Sequence, residues 1–229
     1  MVMRRRIAET LDAHRGGRRP TLRVGVLGGT RGVGRALVGH LTESGHLVTV
    51  LARDPARMGM VSDALTVEEG DARDPAAVRN LAENQDAVCS CLGVRLSRGI
   101  VTLFSESTAH LLEAVKGRDT RLLAITGVGA GDSRGHGGFF YDRIILPLVL
   151  KRMYEDKDRQ EHLLRASEAN WTIIRPGVLT NGARTGEYRV LTQLAGVTLG
   201  HISREDVAHF MHSELRRPLH EREIVNLCY

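Results

Sequence analysis

The turn Gly28-Gly29-Thr30-Arg31-Gly32-Val33-Gly34, with glycines spaced G-x-x-x-G-x-G between two periodic segments, constrains this chain more than any other feature. Before it, Leu22 to Leu27 is a compact apolar run that reads as a strand. After it, Gly34 to Ser44 carries Ala36, Leu37, Val38 and Leu41 at helical spacing. Gly45 ends that helix, and Leu47 to Leu51 reads as a second buried strand. A strand, turn, helix and strand of this length form a βαβ unit with parallel strands. Positions without a Cβ let such a turn bring backbone amides and a helix N-terminus against a pyrophosphate. The unit therefore predicts a dinucleotide site.

The alternation continues. Strands are expected near Leu65 to Glu68, Ala87 to Cys91, Leu122 to Thr126 and Trp171 to Arg175, with helices starting near Pro75, Leu103 and Tyr154. A helix near Arg204 to Leu215 and a strand near Glu223 to Leu227 close the pattern. The expected class is α/β: a Rossmann-type, doubly wound, mainly parallel sheet in a single domain, for which 229 residues are ample. Residues 1–20 read as a basic, flexible arm and 21–229 as the NAD(P)-binding domain. A lid or substrate region is expected around 127–153, where the glycine-rich stretch Gly127 to Gly138 precedes the apolar block Phe139 to Leu150. In such a sheet, loops after Leu27, Leu51, Cys91 and Thr126 converge on one crevice at the carboxyl ends of the strands.

Charge argues against a nucleic-acid partner. Six arginines against Glu9 and Asp12 give residues 1–20 a charge of +4 out of a total of +5, which leaves +1 for the other 209 residues. No run has the length of a membrane span, so a small-molecule substrate and no membrane partner are expected, with the chain a monomer or homodimer. The odd set Cys89, Cys91 and Cys228 suits neither a disulfide framework nor a metal site. It fits a reducing cytoplasm, with Cys89 and Cys91 as inert thiols on one face of a strand.

Residues after the second strand bear on the choice of cofactor. An acid there suits the ribose hydroxyls of NAD, whereas a 2′-phosphate calls for arginine. Here Arg53 and Arg57 follow the strand and Arg31 lies in the glycine turn, so NADP(H) is expected in preference to NAD(H), with Asp54 left as a possible ribose ligand. Asp71, after the third strand, reads either as an acceptor for an adenine amino group or as a turn residue.

With these pieces placed, the chain resembles the atypical short-chain dehydrogenase/reductases, in particular the NmrA-like and biliverdin-IXβ (flavin) reductase branch, over roughly residues 22–228. The likeness rests on Gly28-Gly29-Thr30 with Gly34, on Val48 to Asp54, Gly70-Asp71, Asp86-Ala87-Val88 and Leu92-Gly93, and on Trp171 to Gly177. It implies that Thr30, Arg31, Gly32 and Val33 lie on the pyrophosphate and Arg53 and Arg57 on the adenosine phosphate. It places Asp71 and Ala72 beside the adenine, Leu92, Gly93 and Arg95 along the nicotinamide, and Pro176 and Gly177 in the wall near the reacting ring.

The broader family's Tyr-x-x-x-Lys helix is matched only in part. Lys157, Glu161 and Arg165 keep the later steps, but Met153 stands at the tyrosine position and Tyr154 lies about 100° further round the helix. Thr126 precedes Gly127, which takes the place of the serine in the flavin reductase branch. Lys157, Thr126 and Tyr154 are the candidate catalytic residues, and Thr126 and Lys157 are also candidate cofactor contacts; a solvated Lys157 paired with Glu161 is the alternative. The expected function is hydride transfer from NAD(P)H to a conjugated acceptor such as a flavin or quinone. A non-catalytic, NmrA-like NADP(H) sensor is the main alternative, and an epimerase or dehydratase is disfavoured without the tyrosine base. Phe139, Phe140 and Tyr141 read as core anchors or as a stacking wall with His136 at its rim.

Overall fold

The computed structural model describes residues 20–94 and 99–229. Residues 1–19 of the basic arm expected over 1–20, and Arg95, lie outside the described residues.

Among the described residues there are ten strands and five α-helices, and through β6 they follow the alternation that the periodicity predicts. They are β1 (Arg23–Leu27), α1 (Gly32–Glu43), β2 (Leu47–Ala52), β3 (Leu65–Glu69), α2 (Pro75–Ala82), β4 (Ala87–Ser90), α3 (Leu103–Ala114), β5 (Arg121–Ile125), α4 (Lys151–Ala166), β6 (Trp171–Pro176), β7 (Val178–Thr180), β8 (Arg189–Leu191), β9 (His201–Ser203), α5 (Arg204–Arg216) and β10 (Glu223–Cys228). Eight strands form the main sheet in the order β3-β2-β1-β4-β5-β6-β10-β8, parallel except for β8 against β10. The chain winds outward from β1 to β3, then returns to the other side of β1 with β4. That reversal is the topological switch of a doubly wound sheet, and a crevice opens there at the carboxyl ends of β1 and β4.

Both faces of the sheet are covered. Val24, Val26, Leu123, Ile125, Ile174, Val225 and Leu227 pack with α1 and α5 on one face, while Val88, Leu122, Ala124 and Ile173 pack with α2, α3 and α4 on the other. The side-chain period of 2 along each strand explains why neighbouring residues belong to different clusters. Cys89 and Cys91 share the α1 and α5 face as expected, and burial pushes the Cys89 thiol up to about 12, where it is inert at neutral pH.

Three differences from the sequence reading have physical causes. The short pairs β7 with β9 and β8 with β10 were not expected, because three-residue strands carry too little periodicity to register. The helix expected from Tyr154 begins instead at Lys151 and continues from a π-helix over Tyr141–Leu150 that contains Pro147. Finally, Phe139 and Phe140 are each 72% exposed and touch one another edge to face at 5.7 Å, which corrects their reading as core anchors.

A group of histidines is built into the seam between α1 and α5. The rings of His46 and His212 lie 5.6 Å apart and those of His40 and His212 6.5 Å apart, while the His46 Nδ1 accepts the Leu22 N–H at 3.1 Å. Burial, then the neighbouring histidines, lowers the His212 pKa to about 4; burial also lowers that of His46. An unfolded histidine takes up its proton near pH 6.5, so the unfolded state binds more protons as the pH falls through that value. Stability is therefore expected to be full above pH 6.5 and to decline between pH 6.5 and about 4, with the upper part of that window free of carboxylate titration. Thermal melts across that window should show the midpoint falling, and His212→Asn should flatten the slope.

Candidate dinucleotide site

The glycine turn sits at the switch point. Gly28 has φ +80, and a Cβ there would stand 2.5 Å from the Cys91 carbonyl oxygen at the end of β4. A Cβ on Gly34 would run into the Gly28 carbonyl group. Backbone therefore lies on backbone where β1, α1 and β4 meet, and any side chain would push the helix off the turn. The α1 N-terminus has neither a side-chain cap nor an acid in its first turn, so its amides and the positive end of the helix dipole remain directed at the crevice. Val33 is buried in the core behind the turn, Thr30 is half-buried, and the exposed Arg31 reaches across to donate to the Gly93 carbonyl at 3.3 Å. Leu92 is half-buried and Gly93 exposed along the same rim.

On the adenosine side, Arg53 and Arg57 are both exposed beyond β2. Arg57 pairs with Asp54 at 3.2 Å, while Arg53 lies close enough to Asp71 to favour its charged form. The side-chain hydrogen bond from Arg73 is the main cause holding the Asp71 carboxyl below its usual range; Asp71 accepts from the Arg73 backbone N–H at 2.9 Å and from Nη2 at 3.2 Å. Ala72 is buried in the α2 core. Arg35, one turn into α1, places its guanidinium beside Gly59 and adds a cation to this rim that the motif did not single out.

At the carboxyl end of β5, the candidate catalytic residues converge. Lys157 is buried and donates from Nζ to the Thr126 carbonyl; its ammonium stands 5.3 Å from the Phe104 ring centre and 5.2 Å from that of Tyr154. Burial lowers the Lys157 pKa to about 8, against an opposing pull from Glu161. This excludes the solvated-helix reading of Lys157.

Tyr154 and Lys157 share one face of α4 at i and i+3, so the tyrosine reaches the β5 end despite its offset from the family position. Its hydroxyl is 2.7 Å from where a Cβ on Gly127 would stand, at a residue with φ +151. A side chain at Gly127 would have to displace the Tyr154 hydroxyl and adopt a backbone conformation that favours glycine.

The hydroxyls are already committed. Tyr141 donates to the Val128 carbonyl at 3.0 Å, which leaves Tyr154 to donate to the Tyr141 oxygen at 2.8 Å. Burial drives the Tyr154 pKa far above its ordinary value. Thr126 donates to Glu161 Oε1 at 2.7 Å and is itself buried. Glu161 receives Arg175 through Nε at 2.9 Å and Nη2 at 2.5 Å, and Arg175 Nη1 reaches Asp132 at 2.5 Å.

Sequence reading had not singled out Arg175 as a site residue, and had read Tyr141 as a core anchor or stacking wall, not as a hydrogen-bond partner of Tyr154. An arginine inside the apolar run of β6 does signal a buried ion pair, but nothing in the sequence names its partner. Arg165 is exposed, and its charge acts on Asp132 at the edge of the cluster. Pro176 ends β6 and accepts the Val128 N–H at 3.0 Å, and the Gly177 N–H donates to Leu227 at 2.9 Å, so this wall is joined to both β5 and β10. The stretch expected as a lid is laced down. Gly131 donates to Asp158 at 2.8 Å, Asp142 accepts from the amides of Gly135 and Gly137 at 3.2 and 3.0 Å, and Arg134 pairs with Asp158.

Fold and cradle together define a dinucleotide-binding Rossmann protein. The chain belongs to the NAD(P)H-binding family, whose model matches residues 28–218. Three solved structures share the architecture. The anaerobillin reductase ChuY of Escherichia coli O157:H7 is 19% identical with a TM-score of 0.76, over 90% of this chain and 96% of that one. A Streptococcus pneumoniae protein assigned as an NADH-flavin reductase is 23% identical with a TM-score of 0.72, over 90% and 99%. A Bacteroides thetaiotaomicron protein assigned as an epimerase is 23% identical with a TM-score of 0.72, over 92% and 98%. At these identities the likeness carries the fold, and the chemistry must be argued from the site.

Two predictions follow from the β5 end. Glu161→Gln strips a partner from Arg175, whose side chain is 1% exposed, and is expected to cost about 3–5 kcal/mol in urea unfolding. Asp132→Asn, at a carboxylate 84% exposed, should cost under about 1 kcal/mol. Gly127→Ser should destabilise by about 1–3 kcal/mol, and adding Tyr154→Phe should recover only the part due to the obstructing hydroxyl, leaving the backbone strain at φ +151.

Proposed function

We propose that this protein is an NAD(P)H-dependent reductase that passes hydride to a flat, conjugated acceptor such as a flavin or quinone. The observation that carries the reading is a dinucleotide cradle whose neighbouring hydroxyls, on Thr126 and Tyr154, are both committed to the protein's own hydrogen bonds. Epimerase and dehydratase chemistry needs a base in contact with the substrate, and Tyr154, buried with its pKa raised, is unsuited to that work. Reduction of a conjugated acceptor asks less of the protein. The bound nicotinamide supplies the hydride, and the chain's residues bind, orient and exclude water, while the completing proton comes from solvent.

In this reading the amides of Gly32, Val33 and Gly34, with Thr30, hold the pyrophosphate. Leu92, Gly93, Pro176 and Gly177 border the nicotinamide, and Asp71 and Ala72 border the adenine. Lys157, held against the Thr126 carbonyl, offers its remaining protons to the ribose hydroxyls. Arg31 and Arg53, exposed and without a carboxylate ion pair among the described residues, favour NADP(H) through charge-assisted bonds to a 2′-phosphate. Arg57 contributes less because Asp54 already holds it.

Titration of the purified protein with NADPH and NADH, followed by addition of flavin and quinone acceptors, tests the reading. Tighter NADPH binding with acceptor-dependent oxidation is expected. Arg53→Glu should weaken NADPH binding by about 10- to 100-fold while leaving NADH nearly unchanged. Binding without oxidation by any acceptor would favour a dinucleotide sensor, a reading that the committed hydroxyls also fit.

A further inference from the structure

The outer face of the π-helix is uncovered among the described residues. Its hydrogen bonds run from i to i+5, giving a repeat of about 4.4 residues that gathers Phe140, Ile144, Ile145, Leu148 and Val149 on one side and turns Tyr141, Leu146 and Leu150 toward the body. An α-helical repeat would spread the first set over a wider arc, about half the circumference. Leu148 is 78% exposed, and Phe139 extends the strip at its N-terminal end. So many large apolar side chains on one exposed face mark an interaction surface.

The exposed charges of the strip itself, over residues 139–152, are all cations. Arg143 lies within it and Lys151 and Arg152 at its end, all exposed; Lys151 leans on Glu155 at 3.9 Å. The nearest acid in the segment, Asp142, is turned inward onto the amides of Gly135 and Gly137. Pairing with a second copy brings cation to cation in either direction: a parallel pair sets Arg143 against Arg143, and an antiparallel pair sets it against Lys151 and Arg152. An anionic lipid surface complements both features, with Phe, Leu and Ile entering the acyl boundary and the cations remaining among the headgroups.

We propose that the face over residues 139–152 docks this protein on anionic lipid bilayers as a peripheral, non-spanning contact. This surface is separate from the dinucleotide cradle, so its test uses no cofactor and does not depend on the reductase reading. Full-length protein is sedimented with vesicles of equal parts phosphatidylglycerol and phosphatidylcholine, and with vesicles of phosphatidylcholine alone. The expected result is pelleting with the anionic vesicles and much less with the neutral ones.

Phe140→Ser with Leu148→Ser leaves the charge unchanged and should lower the partition coefficient by about tenfold or more. Arg143→Gln should lower it by about fivefold. These exposed positions should leave the melting temperature near that of the parent. Failure to pellet, or pelleting that the serine pair does not change, overturns the proposal; in the latter case another part of the chain makes the contact. A dimer in light scattering that the serine pair dissociates would also overturn it, by showing that a second copy covers the face.

Discussion

Close approach of backbone to backbone at the β1–α1–β4 junction is the constraint on which the rest of the molecule depends. Gly28 and Gly34 bring α1 down onto its own turn and the turn against Cys91, with no room for a single added carbon. The parallel sheet supplies the opening, because β2 and β4 lie on opposite sides of β1. The uncapped first turn of α1 then faces that opening with donors that no side chain caps, which an anion can satisfy. Fold and cofactor site are thus consequences of one packing requirement.

At the end of β5 a second assembly holds the substrate side in place. Lys157, Tyr154, Glu161 and Arg175 come from α4 and β6, and each is buried with its polar atoms engaged. Burial makes their geometry stiff, since losing one partner strands a charge in a poorly polarisable interior. It also removes Tyr154 from proton transfer while keeping its bulk beside the cofactor wall. Gly127 makes room for the packed hydroxyl pair, since a Cβ there would stand 2.7 Å from the Tyr154 oxygen.

Much of this was legible beforehand for an identifiable reason. Helix and strand periods and the glycine spacing are local properties, so β1, α1, β2, the parallel sheet and the position of the crevice could be read within a residue or two. The β5 end was legible only as a set of candidates. Whether Tyr154 reaches Lys157 depends on how α4 is presented to β5, and the preceding π-helix, with an apolar content that suits core and surface alike, sets its entry. The same ambiguity concealed the exposure of Phe139 and Phe140, because apolarity records a preference for burial without naming what does the burying.

By itself the sequence determined the βαβ grammar, the glycine cradle, the arginines beside it and the loss of the family tyrosine to Met153, all of which are matters of residue type and spacing along the chain. Only the tertiary structure decided that Thr126 and Tyr154 give their protons to Glu161 and Tyr141, that Arg175 is the buried centre of an ion-pair network, and that the glycine-rich stretch is tied down. Those outcomes hang on contacts between residues 13 to 43 positions apart. A hydrogen bond depends on angle and on tenths of an ångström, which the packing of whole elements sets and the spacing of letters does not.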